Sequence, residues 1–147
     1  ELAGEKDIAV IGCFLNARAV GAFVSMMARQ KSIGATIIAA GEQRAIDTGE
    51  RIVYDKHPSY PVFAIEDYLA CGAIIDAIDM EKSAEARLCE LAFNAAESEL
   101  RDLLLRGFSG RYLVEHGLTE DVDHAARMNI YEVVPIIKDR RIYAFSG

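Results

Sequence analysis

The chain has 147 residues, 52% of them hydrophobic, enough for one domain with a real core. Its net charge of −7 argues against nucleic acid as a partner and fits binding of small molecules or metal cations. No apolar run reaches membrane-spanning length, and no signal peptide is visible.

The three cysteines, Cys13, Cys71 and Cys89, follow no CxxC spacing and read as reduced thiols of a cytoplasmic protein. The chain opens on Glu1 rather than Met. That fits a natural start further upstream, and equally tag removal or processing.

The run DIAVIGCF (7–14) is short and continuously apolar, the mark of a strand covered on both faces. Asn16 follows as a candidate N-cap. Residues 17–30 then carry Val20, Phe23, Val24 and Met27 at helical spacing. GATIIAAG (34–41) reads as a second buried strand closed by Gly41. Strand, helix and strand of these lengths predict a βαβ unit with two parallel strands.

Residues 42–61 are polar, carry two prolines and read as a long mobile flap. A helix over about 64–80 is apolar on nearly all sides and should be central and buried. Gly72 in its middle should mark close approach of a neighbour, because glycine there costs about 1 kcal/mol relative to alanine. A longer amphipathic helix over 83–107 stops at a glycine. Short helices follow over 109–117 and 119–128, the second with Thr119 as N-cap. The end reads as two strands around Lys138-Asp139-Arg140. The expected fold is therefore α/β: a single domain over 1–147 with a three-layer, mostly parallel sheet flanked by helices and a C-terminal pair of short strands. Ligands of such folds gather at the carboxyl ends of the parallel strands, here Gly12–Asn16 and Ala39–Glu42.

Glu66 and Asp67 open the apolar helix. Two readings stand side by side. Acids in a first turn complement the positive end of the helix dipole, by roughly 0.3–1 kcal/mol each. Paired carboxylates near a strand end can also hold Mg²⁺, which takes oxygen ligands and keeps waters that a phosphate can share. Asn16 is a helix cap or a cleft residue near backbone N–H groups that hold an anion. Arg44 and Arg51 are solvated loop arginines or a clamp on phosphate or sulfonate oxygens. His57, before Pro58, is a general acid or an idle loop histidine, and His116 and His124 have no metal-ligand spacing between them. No Cys-x5-Arg phosphate loop, GxxxxGK[ST] or GxGxxG is present.

IGCFLNARAV, IIAAG, FAIEDYLACGAIIDAI and SGRYLVEHGLTEDVDHAARMNIYEVVPIIKDRRI, in that order, resemble the 2-phosphosulfolactate phosphatase family of coenzyme M biosynthesis. Only the C-terminal portion of the family is matched. Its N-terminal Asp and Arg motif, Arg-Asn loop and Thr-Thr-Asn-Gly stretch have no counterpart here, and Gly41-Glu42-Gln43-Arg44 replaces its Gly-Thr-type residues. The resemblance implies Mg²⁺-dependent hydrolysis of a phosphate monoester of a sulfonated lactate, a small anionic substrate. By position it makes Glu66 and Asp67 metal ligands, with Asp67 also catalytic, and sets Asn16, Gly41 and Arg44 at the substrate. Asp121 matches a family acid of unassigned role. Self-association stays open. The alternative is a truncated family member that folds as a small-molecule-binding module.

Overall fold

A computed structural model describes residues 8–44 and 60–145 of the chain. The first apolar run supplies β1 (Ala9–Val10), and a 3-10 turn at Phe14–Asn16 feeds α1 (Ala17–Lys31). Helical spacing carries Ala17, Val20, Phe23 and Ala28 to the buried side of α1. The helix ends at Ser32, left-handed at φ 52, whose N–H donates to the Ala28 carbonyl.

Residues 34–40 form no strand. β1 pairs instead with β4 (Pro135–Lys138), antiparallel, with Ala9 opposite Ile137. β4 pairs antiparallel with β5 (Arg141–Ala144), giving the sheet order β1-β4-β5. The fold is α/β. The expected parallel pair over 7–13 and 34–40, and with it the three-layer, mostly parallel sheet, is corrected: every strand pair among the described residues is antiparallel. The physical reason is that an apolar run shows chain suited to burial but does not encode its partner. Here the partner lies at the far end of the sequence. The C-terminal strand pair is present as expected. Asp139 and Arg140 turn it at φ 50 and 60, the left-handed pair that matches the twist of a tight hairpin.

β2 (Glu42–Arg44) and β3 (Tyr60–Val62) make a separate antiparallel pair, Arg44 opposite Tyr60. The two ends of the expected flap are thus strands. Its middle, residues 45–59 with Arg51 and His57, lies outside the described residues.

The helices are α2 (Ile65–Asp76), α3 (Ala84–Ala96), α4 (Leu100–Arg106), α5 (Phe108–Glu115) and α6 (Thr119–Ala125). The single helix expected over 83–107 is divided by a 3-10 turn at Glu97–Glu99. Thr119 is the first residue of α6 rather than its cap, which is Leu118 with no side-chain bond. Residues Leu69 to Ile75 of α2 are all buried, as its all-round apolar surface requires. Phe14, Ala17 and Val20 meet it from one side, and Phe93, Leu100 and Leu104 belong to the same core. One face of the sheet closes this core: Val10 packs on it, Val134 is buried, and the Phe145 ring lies 4.8 Å from Phe23.

Gly72 is where α2 and α3 meet. A Cβ there would stand 2.5 Å from the Cys89 carbonyl oxygen and 2.6 Å from the Phe93 Cβ. A carbonyl in a helix cannot swing aside as a side-chain tip can. Gly72→Ala is therefore expected to destabilise the fold by about 1–3 kcal/mol, although alanine is the better helix former. Urea unfolding measures it, and a gain in stability would refute the close packing.

Candidate functional site

Of the candidate site residues, Gly41, Glu66 and Asp67 lie together at the start of α2. The helix begins after Ala64, which offers no side-chain cap, and Glu66 and Asp67 fall in its first turn. Both are half-buried. Asp67 Oδ2 accepts a 2.8 Å hydrogen bond from the backbone N–H of Gly41. Gly41 adopts φ 70, a backbone state that a residue with a side chain resists. That turn aims its N–H at the carboxylate. The last residue of the IIAAG run and an acid of the EDYLA run thus meet, although 26 positions separate them.

Arg44 sits three residues past Gly41 in β2, and its side chain lies outside what is described. Gly107, read from sequence only as a helix stop, belongs to the same neighbourhood. A Cβ on it would lie 3.0 Å from Ile65 Cγ2, so the α4–α5 junction abuts the first turn of α2. The sequence signal was present in the SGR run that follows this junction, which matched the family pattern.

Asn16 does different work. It is 5% exposed. Its Oδ1 accepts from the Cys13 N–H at 2.9 Å, and its Nδ2 donates to the Val133 carbonyl at 3.1 Å. It caps the turn after β1 from within and ties that turn to the chain entering β4, with no side-chain bond to α1 itself. Its polar atoms are committed to the backbone. Asp121 is exposed in the first turn of α6. His116 Nδ1 lies 2.7 Å from the Tyr112 carbonyl oxygen, and its ring packs on Tyr112. His124 packs near Tyr131.

Cys71, inside α2, and Cys89, on α3, offer no nucleophile. Burial, with lesser contributions from Cys89 and Asp67, pushes the Cys71 thiol up to about 11. Burial also raises Cys89, whose Sγ donates to the Tyr68 carbonyl at 3.3 Å. Buried thiols of raised pKa stay protonated and inert, in keeping with the missing Cys-x5-Arg loop. An open hollow of about 460 Å³ between α1 and the C-terminal end of α2, lined by Ser25, Arg29 and Asp79, includes none of the acids just described.

Could the acid pair hold magnesium? Among the described residues no group of three or more His, Cys, Asp or Glu side chains converges. The donor set is Glu66 and Asp67, and Gly41 already occupies one Asp67 oxygen. Two carboxylates with one oxygen oriented from behind suit an ion that takes one or two carboxylates and completes its shell from water and substrate oxygens. They do not suit a closed protein cage.

The family described as 2-phosphosulpholactate phosphatase matches residues 2–140. The chain belongs to the 2-phosphosulfolactate phosphatase family. A 2-phosphosulfolactate phosphatase of Methanothermobacter thermautotrophicus is 31% identical over 137 residues, covering 93% of this chain and 51% of the relative. A probable 2-phosphosulfolactate phosphatase of Carboxydothermus hydrogenoformans is 32% identical over 75 residues, covering 50% of this chain and 32% of the relative. One from Caldanaerobacter subterraneus subsp. tengcongensis is 24% identical over 134 residues, covering 88% and 47%. The chain thus spans about half the length, or less, of the curated relatives it matches. Members of this family carry the phosphatase name. The same region of this chain holds the Gly41–Asp67 contact. No helix among the described residues is long and apolar enough to cross a membrane.

Proposed function

We propose that this chain carries the acidic half of a magnesium-dependent site that hydrolyses the phosphate monoester of a sulfonated lactate, a step in coenzyme M biosynthesis in the cytoplasm. The observation that carries the reading is the Asp67 carboxylate held by the Gly41 N–H at the start of a buried helix. The family match supplies the substrate class.

The substrate bears phosphate, carboxylate and sulfonate, and two half-buried carboxylates repel all three. Magnesium, when bound, neutralises phosphoryl charge and polarises the phosphoryl oxygens. Gly41 fixes one Asp67 oxygen, which leaves Oδ1 to take a fixed direction. Asp67 orients the attacking water or accepts its proton. Glu66, one position back on the same turn, points about 100° away and serves as the second ligand. The backbone at Gly41 lines the cleft. Arg44, carried on β2 just beyond it, binds the anionic end of the substrate through its planar fork. Asn16 supports this cleft from the β1 side by holding the turn in place.

The test is phosphate release from 2-phosphosulfolactate against Mg²⁺ concentration. It is run on this chain and on a longer version carrying the portion its relatives have outside the matched region. Asp67→Asn keeps an acceptor for Gly41 but removes the charge, and should lower the rate by roughly 10²–10⁴. Asp67→Glu moves the oxygens and should lower it at least about tenfold, with the helical circular dichroism unchanged. If the longer wild type is active and both substitutions leave its rate intact, the two acids serve only the helix dipole.

A further inference from the structure

We infer that the outer face of the three-stranded sheet is a docking surface for the polypeptide that the relatives carry outside the matched half. Register fixes which residues share that face. Ala9 stands opposite Ile137, and Ile137 opposite Ile142. Alternation along extended chain adds Ile11, Val133, Pro135 and Ala144, since the Ile11 N–H continues the pairing to the Pro135 carbonyl and Phe145 to Val134. Ile11 is 41% exposed, Val133 41%, Ile137 42% and Ile142 63%. None of the seven is charged or polar.

The opposite face of the same strands closes the core through Val10 and Val134. A sheet with one wet face alternates apolar and polar residues; continuous apolar runs belong to strands covered on both sides. The runs 8–14 and 133–137 are continuous in that way. Their second cover is not within the described residues. The segment that follows α1 shows the same shortfall: Ile37 packs on the core, while Ile33 and Ile38 are 45% and 60% exposed.

The relatives point to the occupant. The match takes up 51% and 47% of two of them, so each carries about as much chain again outside it. The strands are two, four and four residues long, and their outer face offers seven side chains. A lasting interface needs roughly 20–30 residues a side, so the occupant has to extend beyond this face, and exposed Ile33 and Ile38 are apolar surface available to it. The inference rests on family membership and not on the phosphatase reading.

The test mixes the 147-residue chain with a polypeptide made as the unmatched half of the Methanothermobacter relative and measures mass by light scattering after gel filtration. A one-to-one complex is expected. Ile137→Lys together with Ile142→Lys should weaken it at least tenfold while the helical circular dichroism holds. Leu88→Lys, at an exposed leucine of α3, should leave it unchanged. Absence of a complex overturns the proposal, as does a complex that the paired substitution does not weaken. A dimer of the chain alone that the paired substitution breaks also overturns it, and gives the face to a second copy. No arm needs catalysis, so a failed phosphatase assay leaves the outcome readable.

Discussion

Phe93→Ala should destabilise the protein by about 3–5 kcal/mol, seen as a lower urea midpoint and a Tm drop of roughly 10 °C or more. Phe93 is 3% exposed, and its ring stacks on Phe14 with centroids 6.5 Å apart. It joins three elements: α3, which carries it; the turn after β1, through Phe14; and α2, whose Gly72 lies against its Cβ. Removing the ring leaves a cavity at that junction. The close backbone contact at Gly72 keeps α2 and α3 from moving together to fill it, so relaxation is limited. A loss below about 1 kcal/mol would show that the helices do shift.

Asn16→Leu, of similar volume, should cost about 2–4 kcal/mol in the same assay. The Cys13 N–H and the Val133 carbonyl both lose their part-buried hydrogen bonds to Asn16, and a polar group shut off from water and left unpaired costs up to about 1–3 kcal/mol. Asn16→Asp keeps the acceptor for Cys13 but sets a carboxylate oxygen against the Val133 carbonyl, so it should not restore the wild-type midpoint. An unchanged midpoint in Asn16→Leu would mean that water takes over both bonds. In any activity assay, loss on changing Asn16 has to be compared with this loss of fold.

The sequence was most legible where a pattern is local. The all-round apolar surface of 64–80 marked a buried helix, and a glycine inside it marked the contact with α3. Glycine and charge patterns placed the later helices to within a few residues. The sheet was not legible, because the runs 7–14 and 133–137 declare burial but not partnership. The nearest apolar run, 34–41, looked like the natural neighbour and is not paired. Asn16 was read through its place after a strand end; only its bonds to Cys13 and Val133 show it holding backbone to backbone. Gly41 reads as the close of an apolar run and Asp67 as a first-turn acid or metal ligand, and family resemblance sets both at the site, but no spacing rule shows that an N–H of one meets a carboxylate of the other. That contact depends on φ 70 at Gly41 and on the tertiary course of the chain between them.

The pairing of Ala9 with Ile137 has a consequence for the order of events at the ribosome. α2 and α3 are neighbours in sequence and can dock as soon as both emerge. β1 is made before β4 and must wait for the more than 120 residues between them before β4 exists to receive it. At roughly 5–20 residues per second, that wait is on the order of ten seconds. Throughout it the run Ile8–Phe14 has no partner strand, and long-range pairings of this kind close slowly once they can. The nascent protein is therefore prone to aggregate through β1 during that interval, and synthesis of β4 decides when the exposure ends.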